Sequence, residues 1–285
     1  MIQLPNNLSA IGQSTCWSPA NLWRLERTDG TVLRFCDRDA AIEYEGETYA
    51  PAGAFSASAR EMSDGFKTRN GELRGVIDSD VVTEADLRAG RYIDAQVTQY
   101  LVDARFPFAG ALMTTRFTIL DVTHDGLGWT AQVADVSRRL RVKTGALVTR
   151  DCEYNLGDAR CKKVLTSFTT SAVAVTTVDA ARTRWRASAV PNSSDDWYTY
   201  GKVTWVTGSN AGLVSEVSDY VNSTRRFTSR LALPFDVEVG DTFVAVAGCD
   251  RLFETCKTKF ENGDNFGGFP HVPGTEKLMN TPNSK

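Results

Sequence analysis

From about residue 20 to residue 140 apolar and polar positions alternate with period two, and Gly, Pro, Asp and Asn interrupt the alternation at short intervals. That is the pattern of half-buried strands joined by turns. LWRLERTDG followed by TVLRFCDRD predicts a hairpin, with Asp29-Gly30 supplying a turn that accepts positive φ. AIEYEGETYAP predicts a second one around the weaker turn signal Glu45-Gly46, and RNGELRGVI continues the series. DAQVTQYLVD, TTRFTILDVTHD and LGWTAQVADV add three more strands. VVTEADLRAGRY departs from the period and predicts a short helix, capped by Thr83, with Asp86 three residues on and Gly90 as its stop. This N-terminal part is expected to be a β-barrel or sandwich.

Strands resume beyond Cys161. SAVAVTTVDA, TRWRASAV, YGKVTWVTG, GLVSEVSDYV and RRFTSRLALP are short, rich in Val, Thr and aromatics, and separated by clusters such as PNSSDD and TGSNAG. Five or so strands there predict a small inserted barrel or sandwich at about 165–246. Trp185, Trp197, Tyr198, Tyr200 and Trp205 are expected in its core or rim, with sugar stacking as the alternative. From residue 262 glycines and prolines accumulate and periodicity disappears, predicting an extended C-terminal arm. SRRLRVKTGALVTR, with Arg138, Arg139, Arg141, Lys143 and Arg150, reads as a solvated connector, or else as a contact for an acidic partner. The expected division is a β-rich domain at 1–150 and a cysteine-bearing domain at 151–285.

Composition narrows the function classes. The 285 residues carry 35 acidic and 32 basic side chains, a net charge of −3, with no basic stripe. A general nucleic-acid binder is thereby disfavoured, and DNA contact would be transient if it occurs. No apolar run approaches the roughly 18 residues of a membrane span. MIQLPNNLSA shows no secretory pattern, which predicts folding in a reducing cytosol. The two histidines, His124 and His271, leave little room for His-based metal sites or Ser/His and Cys/His catalysis.

Four of the six cysteines form a constellation: DCEYNLGDARCKK and GCDRLFETCKTKF, with 87 residues between Cys161 and Cys249. Cys152 and Cys161 have C-x8-C spacing, Cys249 and Cys256 C-x6-C, and the pairs flank the inserted β unit. In a reducing compartment such cysteines are more often metal ligands than disulfides, although two disulfides suit an extracellular particle. Zinc sites favour spacings of two to four residues, whereas a four-iron cluster attaches each thiolate to its own iron and accepts wider spacing. Spacing leaves zinc and cluster both open. Gly157 and Gly248 would let backbone approach an inorganic group, and Lys162, Lys163, Arg251, Lys257 and Lys259 could offset its charge. Cys36 is expected to be a buried apolar filler, and Cys16 a nucleophile only with a histidine nearby.

The C-terminal run GC-x6-C-x3-F-x5-F-x-G-F-P-H-x-P-G, with DCEYNLGDARC upstream, resembles the tail baseplate hub (tail-tip) proteins of long-tailed bacteriophages and gene transfer agents, related in role to tail-tip protein L of phage lambda. The resemblance spans roughly residues 20–280. It implies a virion protein: a homotrimeric hub between the distal tail ring and a central fibre or spike, with the tape-measure protein as a further neighbour. It also implies an iron–sulfur cluster, [4Fe-4S] with zinc as the alternative, on Cys152, Cys161, Cys249 and Cys256, and no catalysis. Glu153 and Lys162 stand where many relatives carry Arg and Gly, a departure beside the ligands rather than at them. Phe266, Phe269 and Pro270 are then expected near the cluster, with His271 packed rather than ligating. The rival readings are a cell-wall Cys/His peptidase, using Cys16 or Cys36 with His124 or His271, and a carbohydrate-binding module built on the tryptophans.

Overall fold

The computed structural model describes residues 17–51, 56–57, 70–76, 81–125, 128–135, 145, 147–191 and 194–273. Cys16 and the joint residues Arg138, Arg139, Arg141 and Lys143 lie outside them. The chain divides into two compact units, residues 1–144 and 145–285.

The first unit is a nine-stranded sheet in the order β3-β4-β2-β1-β7-β8-β9-β6-β5. Its strands are β1 (Pro19–Glu26), β2 (Val32–Cys36), β3 (Ile42–Tyr44), β4 (Glu47–Pro51), β5 (Ser56–Ala57), β6 (Asn70–Val76), β7 (Gln96–Asp103), β8 (Leu112–His124) and β9 (Gly128–Asp135). The Asp29-Gly30 hairpin forms, with Leu25 opposite Leu33 and Gly30 at φ +88°. Glu45 and Gly46 both take positive φ, 53° and 77°, as a two-residue turn of the primed kind requires. Helix α1 (Glu84–Arg88) is capped as expected: Asp86 N–H donates to Thr83 Oγ1 at 3.1 Å.

Central strand β1 is buried on both faces. Trp23 and Leu25 join Val97, Phe117, Ile119, Trp129 and Val133 under Leu87 and Tyr92, while Ala20 and Leu22 join Cys36, Ile42, Tyr49 and Val102 behind. The expected N-terminal barrel or sandwich is therefore corrected: the described strands form one sheet with β3 and β5 at its edges. Period-two alternation reports that a strand has two unlike faces; it carries no information on whether the sheet closes.

The second unit holds a closed six-stranded barrel, β10-β11-β14-β13-β12-β15, built from β10 (Val173–Ala180), β11 (Arg184–Ala187), β12 (Lys202–Trp205), β13 (Val214–Val221), β14 (Arg226–Ser229) and β15 (Thr242–Val246). Sequence pattern gave the first five; β15, the TFVAV run, closes the barrel by pairing with both β10 and β12. Trp185 fills the centre, its ring 5.0 Å from Trp205, 6.2 Å from Phe227 and 6.0 Å from Phe243. Trp185, Tyr198 and Trp205 are core residues and unavailable for sugar stacking, while Tyr200 is exposed. Fully buried Asn210 is satisfied by the Phe235 backbone, donating to its carbonyl at 3.0 Å and accepting from its N–H at 3.2 Å.

The two ends of the barrel insertion are zipped together. Thr170 N–H donates to Ala245 O, Ala247 N–H to Phe168 O, and Ala245 N–H to Thr170 Oγ1, each at 2.9 Å. This short ladder brings the chain leaving Cys161 beside the chain approaching Cys249.

Candidate metal centre

Each cysteine is placed by a different local device. Cys152 lies in an irregular segment fixed by its N–H to Arg251 O at 2.9 Å. Cys161 closes a loop organised by the Asp158 carboxylate, which accepts from the N–H groups of Cys161 (2.7 Å), Arg160 (2.9 Å) and Asn155 (3.1 Å). Those donors, that of Cys161 foremost, hold the Asp158 carboxyl below the usual carboxylate range. Cys249 follows Gly248 at the exit of β15. Cys256 rides on helix α2 (Phe253–Thr258), an element the periodicity did not predict, and its thiol donates to Asn262 O at 3.3 Å.

All four cysteines line one small cavity of about 10 Å³, walled by Tyr154, Leu156, Phe260, Asn262 and Phe266 among others. Asn262 ties the two pairs together. Its Nδ2 donates to Cys161 O at 2.7 Å and lies 3.5 Å from Cys161 Sγ, while its backbone N–H donates to Cys256 O at 3.0 Å. Asn265 Nδ2 donates to Asn262 Oδ1 at 2.8 Å, which fixes the orientation of the amide. Neither Asn262 nor Asp158 carries a motif that singles it out in one sequence.

The C-terminal arm folds over the site. Gly267 N–H donates to Cys152 Sγ at 3.3 Å, and Phe269 N–H to Thr149 O at 2.8 Å. A Cβ on Gly267 would collide with the Tyr154 ring, and one on Gly268 with the Asp151 carbonyl, so the paired glycines permit the crossing. Phe266 lines the cavity and meets Phe253 edge-on at 5.1 Å; Phe269 is exposed, and His271 is exposed with its ring 6.4 Å from Phe253. Gly157 and Gly248 make close approaches to protein rather than to the cavity centre: a Cβ would strike Leu165 in one case and the Thr199 carbonyl in the other.

Burial first, and neighbouring thiols after it, suppress the ionisation of Cys256 and Cys249. The Cys256 thiol is pushed up to about 11, by burial first and then by Cys249, Cys152 and Cys161, with Lys163 acting in the opposite sense. Cys249 is raised, again chiefly by burial. All four are free thiols, as is Cys36. Among the described residues no three His, Cys, Asp or Glu side chains are gathered so as to hold a metal ion. A single zinc needs its sulfurs about 2.3 Å from one point. The four thiols share their cavity with aromatic walls, and two of them face N–H donors, Cys152 that of Gly267 and Cys161 that of Asn262 Nδ2.

Cys36 is fully buried in β2, its thiol 3.5 Å from Ala40 O, as expected of an apolar filler.

A family model described as baseplate hub protein, N-terminal attachment domain, matches residues 5–164, which include Cys152 and Cys161. A second, described as phage conserved hypothetical protein BR0599, matches residues 196–276, which include Cys249 and Cys256. No curated protein matches the chain. Among solved structures, a chain from the virion of a native gene transfer agent particle is similar at 29% identity and TM-score 0.86, over 99% of this chain and 97% of that one.

Proposed function

We propose, on the premise that this chain belongs to the baseplate hub family defined by the N-terminal attachment domain, that it joins the distal tail ring to the central fibre or spike as a homotrimer and carries a structural iron–sulfur cluster. The chain is a structural component of a phage-type tail baseplate, and its near full-length likeness to a chain of an assembled gene transfer agent particle supports the hub reading. No helix among the described residues is long and apolar enough to cross a membrane.

The observation that carries the cluster is the convergence of Cys152, Cys161, Cys249 and Cys256 on one cavity at the foot of the barrel insertion. When bound, the group supplies iron–thiolate bonds that cross-link segments remote in sequence. The chain's own residues do the rest: Asp158 shapes the first ligand loop, α2 presents Cys256, Asn262 sets the first pair against the second, and the arm lays the Gly267 N–H on Cys152. A group that binds the folded chain alone contributes its binding free energy to stability. The cluster therefore fixes the barrel insertion on its base rather than performing turnover.

The test is the full chain purified without oxygen and assayed for iron and acid-labile sulfide, with its mass measured by light scattering. Equal iron and sulfide in a brown trimer is the expected result. One zinc per colourless chain would remove the cluster, and a monomer at micromolar concentration would remove the trimer.

A further inference from the structure

In the second unit a groove of about 640 Å³ lies between the outer wall of the barrel and the loops around Cys249. That volume is in the range of small-ligand sites. The barrel contributes Lys202 of β12, Glu216 of β13 and Arg230 just after β14; the loops contribute Tyr154, Asn155 and Arg251. Lys202 and Glu216 are cross-strand partners, and Arg230 N–H donates to Glu216 O at 2.8 Å, so the three exposed residues are neighbours on the barrel wall. Charge in the groove is not balanced. Of its two carboxylates, Asp250 is already used, accepting from Leu252 N–H at 2.9 Å and from the Thr255 hydroxyl at 2.7 Å. Glu216 meets Arg230 only loosely, at 3.8 Å with both side chains exposed. Lys202 makes no ion pair among the described residues, and the Arg251 guanidinium has only the Asn155 Oδ1 contact at 3.5 Å.

Tyr200 lines the same groove on strained backbone. Its φ is +65°, a conformation that glycine adopts freely and tyrosine does not, and the residue is 62% exposed. Its neighbours force the turn. Tyr200 N–H donates to Val217 O and Val217 N–H to Gly201 O, each at 2.9 Å, while a Cβ on Gly201 would collide with the Val246 carbonyl. Core packing does not account for an aromatic ring held outside the barrel in this way, and backbone strain of this kind concentrates at binding sites.

We propose that this groove binds an acidic sugar unit, a uronate or similar carboxylate-bearing pyranose of a glycan. Tyr200 lies against the apolar face of the sugar ring, and Lys202, Arg230 and Arg251 take its carboxylate and neighbouring hydroxyls. The mixture of polar groups suits hydroxyls as well as a carboxylate: the ammonium and guanidinium groups only donate, whereas Glu216 and the Asn155 carbonyl accept. A peptide is less well served. Every strand of the closed barrel already has a neighbour on each side, so no free edge is offered to an added strand. The site is independent of any metal held by the cysteines, and it does not use the barrel tryptophans, since Trp185 and Trp205 are core residues.

The test is calorimetric titration of the full chain, as wild type, Y200G, K202M and R230M, with tri-galacturonate, neutral galactotriose and a tri-glutamate peptide. Tri-galacturonate should bind saturably and more weakly as salt is raised. Galactotriose should bind roughly tenfold more weakly or worse, for want of the carboxylate, and tri-glutamate should not saturate. Y200G should lose about tenfold in affinity for tri-galacturonate yet hold its thermal midpoint, because glycine accepts φ +65°; a tyrosine with a merely structural role would lower the midpoint instead. K202M and R230M should each lose roughly tenfold. K202M carries the test if Y200G does not fold, since it breaks no ion pair among the described residues. Absence of saturable tri-galacturonate binding would overturn the proposal. So would tri-glutamate binding as tightly, which would make the groove an acidic-peptide site, or an affinity unchanged in the folded variants.

Discussion

Replacing Asn262 with Leu removes the side chain that binds the two cysteine pairs to each other. Asn262 is 8% exposed, and the change keeps its approximate volume while deleting both polar atoms. The carbonyl of buried Cys161 then loses its 2.7 Å donor, and Asn265 loses its 2.8 Å acceptor. The Asn265 amide is partly exposed and turns to water, so the cost falls on the carbonyl. An orphaned buried acceptor costs about 1–3 kcal/mol. The expected loss is about 2 kcal/mol, or roughly 30-fold in the opening equilibrium at 1.4 kcal/mol per decade. Native-state hydrogen exchange of the metal-free chain, read on peptides covering 152–165 and 253–265, reports that equilibrium directly. Both peptides should exchange roughly 30-fold faster, and Asn262→Asp, which retains shape but loses the donor, should behave similarly. Unchanged protection in both variants would refute the inter-pair bridge.

Trp185→Ala should destabilise the barrel by about 3–5 kcal/mol, because the ring is 0% exposed at the centre of the aromatic core; chemical denaturation of the metal-free chain measures it. In metal-free protein Cys256 should alkylate about a hundredfold more slowly near pH 8 than an ordinary thiol, since its value lies at about 11 against 9.0 and each unit is tenfold in thiolate. The same shift sets a pH dependence. Because the folded value lies above the unfolded one, the contribution is fully present below about pH 9 and is lost as pH rises through about 11, so metal-free protein should weaken across that window. Thr83→Ala deletes the α1 cap and should cost about 1 kcal/mol in thermal unfolding, with no effect on iron content.

The elements most legible in the sequence were those whose reasons are local. Asp29-Gly30 and Glu45-Gly46 marked their turns because positive φ is a property of single residues, and Thr83 marked its helix because capping spans only three positions. Closure of the barrel by β15 and the openness of the first sheet were not legible, since both depend on pairings between distant strands. Helix α2 was hidden for another reason: six residues give fewer than two turns of periodicity, and its buried face amounts to Cys256. The cysteines were visible as a constellation because the residue type is rare and the pairs bracket the insertion. Asn262 and Asp158 were invisible as neighbours of the cysteines, because ordinary residue types acquire such places only when segments remote in sequence meet.

The central claim, that four remote thiols share one inorganic core, is tested most directly by an anomalous-difference map from crystals of anaerobically purified protein at the iron edge. A compact iron peak within bonding distance of the sulfurs of Cys152, Cys161, Cys249 and Cys256 is the predicted result. A cavity with no iron peak, or iron bound by one pair while the other pair stands apart, would contradict it.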